Sequence, residues 1–244
     1  MNKKVAIIQA RMGSTRLPGK ILKKVLGISL LECQIERLSH TQLVDEIVIA
    51  TTLKEEDKSI VDLCNCLSIP YYQGPEEDVL KRYYETAKLF KANTIIRLTS
   101  DCPIIDPSIV DNVINYYLNN NYDYVSNTLK RTYPRGMDTE VFSFDALKKA
   151  YIDSKEIHFR EHVTPFIYQN PSIFKLGSVE SPINNSKYRL TVDTKEDLEL
   201  ITKIIESLYP NNNLFLLNEV IELLQTKSDW VKLNSHIEQK KLIT

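Results

Sequence analysis

A short segment near the start of the chain combines the side-chain types that bind phosphate. Residues 10–20 contain three cations, two hydroxyls and two of the six glycines of the chain: Arg11, Arg16, Lys20, Ser14, Thr15, Gly13 and Gly19. Glycine lets backbone N–H groups turn toward an anion, while arginine and lysine donate charge-assisted hydrogen bonds to phosphate oxygens. The segment predicts a loop that holds a nucleotide triphosphate. The alternative is a basic turn at the surface.

Two aspartates are expected to lie beside this loop. Asp101 follows the apolar run 94–98, and Asp193 follows the run 188–192. In nucleotide sites Mg²⁺ keeps several waters and takes one or two carboxylates together with substrate phosphates. The pair therefore predicts a magnesium site. The alternatives are a turn-forming aspartate at Asp101 and a helix-capping aspartate at Asp193.

The elements that must position these side chains alternate between short apolar runs and amphipathic stretches. The sequence predicts strands over residues 5–8, 46–50, 70–72 and 94–98, and helices near residues 30–38, 56–66 and 79–90. Such alternation is typical of βαβ units, so we expect an α/β fold with a mostly parallel, mixed sheet flanked by helices. Ligands of such sheets bind at the carboxyl ends of the strands. The basic loop, Thr51, Thr52, Ser100 and Asp101 all follow or end such strands.

The second half of the chain is less regular. Strands are predicted over residues 124–127, 140–143 and 187–192, and a helix over 195–208. The pattern from residue 214 onward is helical and predicts packing rather than chemistry. We expect residues 1–210 to form the main domain, including an acceptor-binding and dimerisation segment at about 127–180, and residues 211–244 to form a helical extension packed on it.

Composition narrows the class of protein. The chain has 244 residues, 43% of them hydrophobic, with a net charge of −1, so it can bury a sizeable core and is not expected to bind nucleic acid. Its four cysteines lack the spacing of a zinc site, which favours free thiols in a reducing compartment. We see no secretory signal and no apolar stretch of the ~20 residues that span a bilayer. A cytoplasmic location without membrane contact is therefore expected.

Five blocks of sequence identify the family. They are 8–20 (IQARMGSTRLPGK), 98–103 (LTSDCP), 133–142 (YPRGMDTEVF), 160–165 (REHVTP) and 189–194 (RLTVDT). In this order they resemble the acylneuraminate/KDO cytidylyltransferases, and within them the SpsF-type spore-coat polysaccharide biosynthesis proteins. The resemblance covers roughly residues 3–205.

The resemblance implies a nucleotide-diphospho-sugar transferase fold, which is GT-A-like and Rossmann-like. It also implies transfer of CMP from CTP to an acceptor with release of pyrophosphate, Mg²⁺ as cofactor, a homodimer and a role in surface polysaccharide biosynthesis. The implied nucleotide-binding residues are Ala10, Arg11, Gly13, Ser14, Thr15, Arg16, Lys20, Thr51, Thr52, Thr99 and Ser100. The implied catalytic residues are Arg11, Arg16, Lys20 and Asp101, and the implied metal ligands are Asp101 and Asp193.

The middle blocks are expected to meet a small anionic acceptor. The candidate residues are Tyr133, Arg135, Asp138, Glu140, Arg160, Glu161 and His162. Arginine is suited to bidentate capture of a carboxylate or phosphate, and His162 is either a base or a structural side chain. These blocks depart from those of the KDO and sialic-acid enzymes. The acceptor is therefore left open between a sugar acid, a sugar phosphate and a related phosphate or phosphonate.

Two other functions remain compatible with the same fold. One is a glycosyltransferase that uses a ready-made nucleotide sugar, but such enzymes typically carry an Asp-x-Asp pair after a strand, and this sequence has none there. The other is a nucleotide-binding protein without catalysis. The combination of the basic loop with both aspartates argues against it.

Overall fold

A computed structural model of the chain describes residues 2–239, which form one large sheet, a small hairpin and flanking helices. The strands are β1 Lys4–Gln9, β2 Lys24–Val25, β3 Ile28–Ser29, β4 Glu46–Thr52, β5 Tyr71–Gly74, β6 Thr94–Thr99, β7 Tyr124–Ser126, β8 Glu140–Ser143 and β9 Leu176–Ser178. The helices are α1 Leu30–Leu38, α2 Lys58–Leu67, α3 Val79–Leu89, α4 Pro107–Leu118, α5 Phe144–Asp153, α6 Ile157–His162, α7 Pro165–Tyr168, α8 Lys195–Leu208, α9 Leu217–Thr226 and α10 Ser228–Val231.

The large sheet has the strand order β5-β4-β1-β6-β8-β7-β9 within the described residues. Neighbours from β5 to β6 pair in parallel, β8 pairs antiparallel with β6 and with β7, and β9 pairs in parallel with β7. The mostly parallel, mixed sheet predicted from the sequence is thus confirmed. Gln9 pairs with Ala50 on one side and Thr99 on the other, which brings three strand ends to one edge.

Helices cover both faces of the sheet and explain the continuous apolar runs. Side chains alternate across β1, so Ala6 and Ile8 pack in the core beneath α1, α4 and α8, while Val5 and Ile7 pack with α3 and α5. A strand covered on both faces has no solvent-facing positions and is apolar at each residue.

One predicted strand is wrong. Residues 187–192 do not join the sheet as a strand; they make a single bridge between Arg189 and Arg135. Their backbone N–H groups are used elsewhere, because Leu190 N donates to Arg135 O at 2.7 Å and Val192 N donates to Asp101 O at 2.8 Å. The segment is an extended connection that links two loops. The three-residue strand β9 was not predicted, since it is too short to show a period.

The C-terminal helices are tied to the sheet domain by a buried arginine. The Arg37 guanidinium donates to the carbonyl oxygens of Ile105 at 2.7 Å and Asn213 at 3.3 Å, and to that of Phe215, whose ring it also covers at 4.4 Å. The domain division at residue 210 stays a prediction, and residues 240–244 of the expected extension, like Met1, lie outside the described residues. Within residues 2–239 no helix is both long enough and apolar enough to cross a membrane.

Candidate active site

The basic loop leaves β1 and curls back on itself. Ala10 N donates to Ala50 O at 3.1 Å, which continues the pairing with β4 for one residue. The carbonyl oxygen of Met12 then accepts from Ser14 N at 2.8 Å and from Gly19 N at 3.0 Å. Gly19 has a φ of +65°, a conformation that side chains other than glycine's disfavour. The loop is therefore a closed turn that holds its cations at the sheet edge.

A buried aspartate that sequence reasoning did not single out supports this loop. Asp57 is 1% exposed, accepts from Met12 N at 2.6 Å through one carboxylate oxygen and accepts from the Thr52 hydroxyl through the other. Its position just before α2 suggests a helix cap, yet its side chain makes no capping bond. Asp57 instead fixes the loop to the end of β4, and the Thr52 hydroxyl takes part in that support.

Lys20 lies between the two aspartates. Its Nζ is 2.8 Å from Asp193 Oδ1 and 3.5 Å from Asp101 Oδ2, and it donates to Val192 O at 2.6 Å. The segment before Asp193 is also held to Asp101, because the Thr191 hydroxyl and Val192 N donate to Asp101 O at 3.0 and 2.8 Å. The structure thus brings together the loop lysine and both predicted metal ligands, which come from three separate parts of the sequence.

Asp193 is surrounded by cations. Besides Lys20, its Oδ2 lies 2.9 Å from Arg16 Nη2 and 2.8 Å from Arg189 Nη2. Arg189 is held in turn by Asp197, which accepts from its Nε at 2.8 Å. Burial raises the pKa of Asp193, but Lys20, Arg16 and Arg189 outweigh it and hold that pKa below 3.8. The carboxylate is therefore ionised at neutral pH.

The carboxylate pair fits a magnesium ion. Asp101 and Asp193 offer hard oxygen atoms at a common point, where an ammonium group now lies, and a cavity of about 180 Å³ adjoins them. Residues 2–239 contain no group of three or more His, Cys, Asp or Glu side chains arranged to hold a metal. Magnesium at this place would therefore need phosphate oxygens and water as further ligands, as it usually does beside a nucleotide.

A larger cavity of about 590 Å³ lies next to the first, and arginines dominate its chemistry. Arg131 forms a bidentate pair with Asp138, at 2.6 and 2.8 Å. The guanidinium of Arg135 has no hydrogen bond or ion pair within the described part of the chain, and burial and the neighbouring Arg131 lower its pKa. Arg135 is thus available to bind an anion in this cavity.

The floor of the larger cavity is a buried polar network. Glu140 pairs with Arg97 and accepts from the Tyr124 hydroxyl at 2.6 Å and from the Thr164 hydroxyl at 2.7 Å. Burial and the nearby Glu140 raise the pKa of Tyr124 well above its usual value, so the phenol stays protonated. With its oxygens already engaged, Glu140 shapes the cavity. His162 also lines the cavity, at the end of α6.

Three of the predicted acceptor residues lie away from this cavity. Tyr133 packs in the core, and Glu161 is exposed. Arg160 binds Asp78 at 2.5 Å and donates to Tyr151 O at 2.8 Å, which attaches α6 to the start of α3 and the end of α5. The other four predicted acceptor residues, Arg135, Asp138, Glu140 and His162, line the cavity.

The remaining predicted nucleotide residues lie along the same sheet edge. Arg11 pairs with Glu76 at 3.4 Å, and Thr15 is exposed. The hydroxyl of Thr51 is buried without a hydrogen-bond partner among residues 2–239. Ser100 N donates to Gln9 O at 3.2 Å, which continues the pairing of β6 with β1. Their placement at one edge agrees with a shared ligand.

Residues 5–230 match the family model described as cytidylyltransferase. The chain belongs to the cytidylyltransferase family. An uncharacterised protein of Methanocaldococcus jannaschii is 39% identical to it over 242 residues, which are 97% of this chain and 96% of that protein. SpsF, a spore coat polysaccharide biosynthesis protein of Bacillus subtilis, is 34% identical over 236 residues, which are 94% of this chain and 97% of SpsF.

A solved structure leads to the same conclusion. A cytidylyltransferase from Leptospira borgpetersenii superposes with a TM-score of 0.91 at 31% identity, covering 99% of this chain and 100% of that one. The predicted family, its SpsF-type branch and the nucleotide-transferase fold are confirmed. This cytidylyltransferase is a CTP-dependent nucleotidyltransferase.

Several residues of the candidate site are not predicted from the sequence. Arg97 lies within an otherwise apolar strand, and a single cation in a buried run itself indicates a buried partner. Arg189 belongs to the block 189–194, but no local pattern indicates that its guanidinium holds Asp193. Gln239 lines both cavities and carries no recognisable signal in the sequence.

The cations around Asp193 predict a pH dependence of stability. Because the pKa of Asp193 is depressed on folding, its stabilising contribution is complete above 3.8 and is lost as pH falls through the lower folded-state value. At pH 7 we expect Asp193→Asn to lower the free energy of unfolding by about 3 kcal/mol, the cost of breaking a buried pair. The difference from wild type should shrink as pH falls below about 4.

Urea unfolding of wild type and Asp193→Asn between pH 3 and pH 7 measures this difference in the free energy of unfolding. Asp62→Asn, at an exposed position of α2, is the control and should show no such convergence. A wild-type advantage that persists unchanged at low pH would mean that Asp193 is not the group that titrates.

Proposed function

We propose that this cytidylyltransferase transfers CMP from CTP to a small acidic or phosphorylated acceptor and releases pyrophosphate, with Mg²⁺ as cofactor. An acceptor oxygen forms a bond to the α-phosphorus of CTP, and the bond from that phosphorus to the pyrophosphate oxygen breaks with its electron pair. The reaction places negative charge on pyrophosphate, which positioned cations stabilise.

The observation that carries this proposal is the position of Lys20 between Asp101 and Asp193. A metal–triphosphate complex needs negative groups for the metal ion and a positive group for the phosphates. The two carboxylates and Lys20 supply these charges at one edge of the sheet. Asp101 and Asp193 would hold the ion, which when bound supplies charge neutralisation at the phosphates. Lys20 and Arg16 would bind phosphate oxygens directly.

The larger cavity supports an anionic acceptor. Arg97 and Arg131 are already neutralised by Glu140 and Asp138, which leaves the guanidinium of Arg135 to attract charge. The guanidinium of Arg135 fits one carboxylate, phosphate or phosphonate group. The name of SpsF adds that a relative serves polysaccharide biosynthesis, and we propose the same kind of pathway here. A homodimer and a cytoplasmic location stay predictions from the sequence.

Pyrophosphate release with CTP, Mg²⁺ and a panel of acceptors tests the proposal. The panel contains N-acetylneuraminate, 3-deoxy-manno-octulosonate, glucose 1-phosphate and 2-hydroxyethylphosphonate. We expect release with at least one of them, and we expect Arg135→Met to raise the KM of that acceptor about tenfold to a hundredfold through loss of a charge-assisted bond. Lys130→Met, which removes an exposed cation nearby, should leave it unchanged.

Two results would count against this function. Release with no member of the panel would argue against CMP transfer to these classes. Transfer of a sugar from a ready-made nucleotide sugar, without pyrophosphate release, would favour the glycosyltransferase alternative.

A further inference from the structure

The last described residues form a strap that returns to the site. We define the C-terminal strap as residues 234–239, which follow α10. Asn234 is 2% exposed, and its Nδ2 donates to Arg189 O at 2.9 Å and to Asp197 Oδ1 at 2.8 Å. Asn234 thus ties the start of the strap to Arg189 and Asp197, of which Arg189 binds the Asp193 carboxylate.

Gln239 lies at the other end of the strap, at the border between the two cavities. Its Oε1 accepts from Arg189 Nη1 at 2.8 Å. It lines both the cavity beside the aspartates and the cavity of Arg135, together with Thr99, Arg135 and Asp138. In the proposed reaction, an acceptor bound by Arg135 would lie next to a nucleotide bound beside Asp193 at this border.

The contact with Arg189 fixes the orientation of the Gln239 carboxamide. A guanidinium only donates, so the oxygen of the amide faces it and the NH2 group faces away. Within residues 2–239 that NH2 group has no hydrogen-bond partner. Gln239 therefore offers two uncharged donors at the border, beside the charged guanidinium of Arg135 and the hydroxyl of Thr99.

We propose that Gln239 is an acceptor-specificity residue, donating from Nε2 to an oxygen atom of the bound acceptor. The inference rests on the proposed CMP transfer and adds a residue that none of the five motif blocks contains. A neutral donor at this place favours acceptors that present a hydroxyl, carbonyl or acid oxygen beside the anion. Arg189 acts as a positioning residue, because it holds both Asp193 and the carboxamide of Gln239.

Two substitutions in the 244-residue chain test the inference by steady-state kinetics with the panel acceptor that wild type uses best. Gln239→Ala should raise the KM of the acceptor about five- to tenfold, the effect of one lost hydrogen bond. The KM of CTP should change by less than about twofold. Gln239→Glu keeps an oxygen for Arg189 but removes both donors, so it should raise the acceptor KM at least as much. Glu238→Gln, in the same strap, is the control and should behave as wild type.

The variants separate a donor role from a structural one. If Gln239→Glu restores the wild-type KM, the contact with Arg189 is what matters and the inference is overturned. Unchanged kinetics in Gln239→Ala, or equal changes for CTP and acceptor, overturn it as well. If wild type releases no pyrophosphate, the proposed function fails first. Calorimetric titration of the same acceptors then decides: binding that Gln239→Ala weakens supports the inference, and equal or absent binding rejects it.

Discussion

Replacing Lys20 by methionine is expected to lower the kcat/KM of pyrophosphate release about a hundred- to a thousandfold, as removal of a positioned charge donor does in other enzymes. Lys20 Nζ is the group that lies between Asp101 and Asp193, and it also holds the carbonyl of Val192. Methionine preserves most of the volume and removes the charge. The two carboxylates then lie beside the triphosphate without their shared cation, so we expect CTP to bind more weakly and turnover to be slower. Steady-state kinetics with varied CTP measure the effect.

A matched control separates this effect from a general loss of positive charge. Lys23→Met removes an exposed lysine three residues further along the chain and should stay within about twofold of wild type. Lys20→Arg should recover only part of the activity, because a planar guanidinium is not a substitute for a compact ammonium group. Activity near wild type in Lys20→Met would show that the lysine is not part of the machinery.

The predictable part of the site is the part that depends on local sequence. The turn of the basic loop, its cations and the strand before it lie within one short stretch, so periodicity and residue types suffice to place them. The expectation that Asp101 lies beside the loop follows from a general property of parallel sheets. The expectation that Asp193 lies beside the loop and Asp101 depends on a strand at residues 187–192. This strand does not form.

The remaining part depends on long-range contacts that no local pattern encodes. Glu140 was predicted to meet the acceptor, yet its oxygens are engaged by Arg97, Tyr124 and Thr164 from three other elements. Arg160 was expected at the same place because of its charge, and it serves instead to attach α6. A charged residue near a motif has the same appearance in sequence whether it binds substrate or another part of the protein.

Substituting Gly136 by alanine is expected to lower the free energy of unfolding by about 3 kcal/mol, the sum of backbone strain and overpacking. Gly136 has a φ of +102°, and a Cβ there would lie 2.5 Å from the carbonyl carbon of Leu190 and 2.9 Å from Thr191 N. Both of those atoms belong to backbone, which cannot rotate away as a side chain does. The variant must therefore separate the loop of Arg135 from the connection that leads to Asp193, so the acceptor KM should rise too.

Gly27→Ala is the control, because Gly27 also has a positive φ, of +83°, but a Cβ there meets nothing within 4 Å. It should cost about 1 kcal/mol, the strain alone. Urea unfolding followed by the fluorescence of Trp230, the single tryptophan of the chain, measures both variants. The difference between them isolates the close approach of the two loops. Equal losses of stability would mean that the close approach of the two loops does not require a residue without a Cβ at position 136. The alignment of Arg135 beside the aspartate pair would then not depend on Gly136 either.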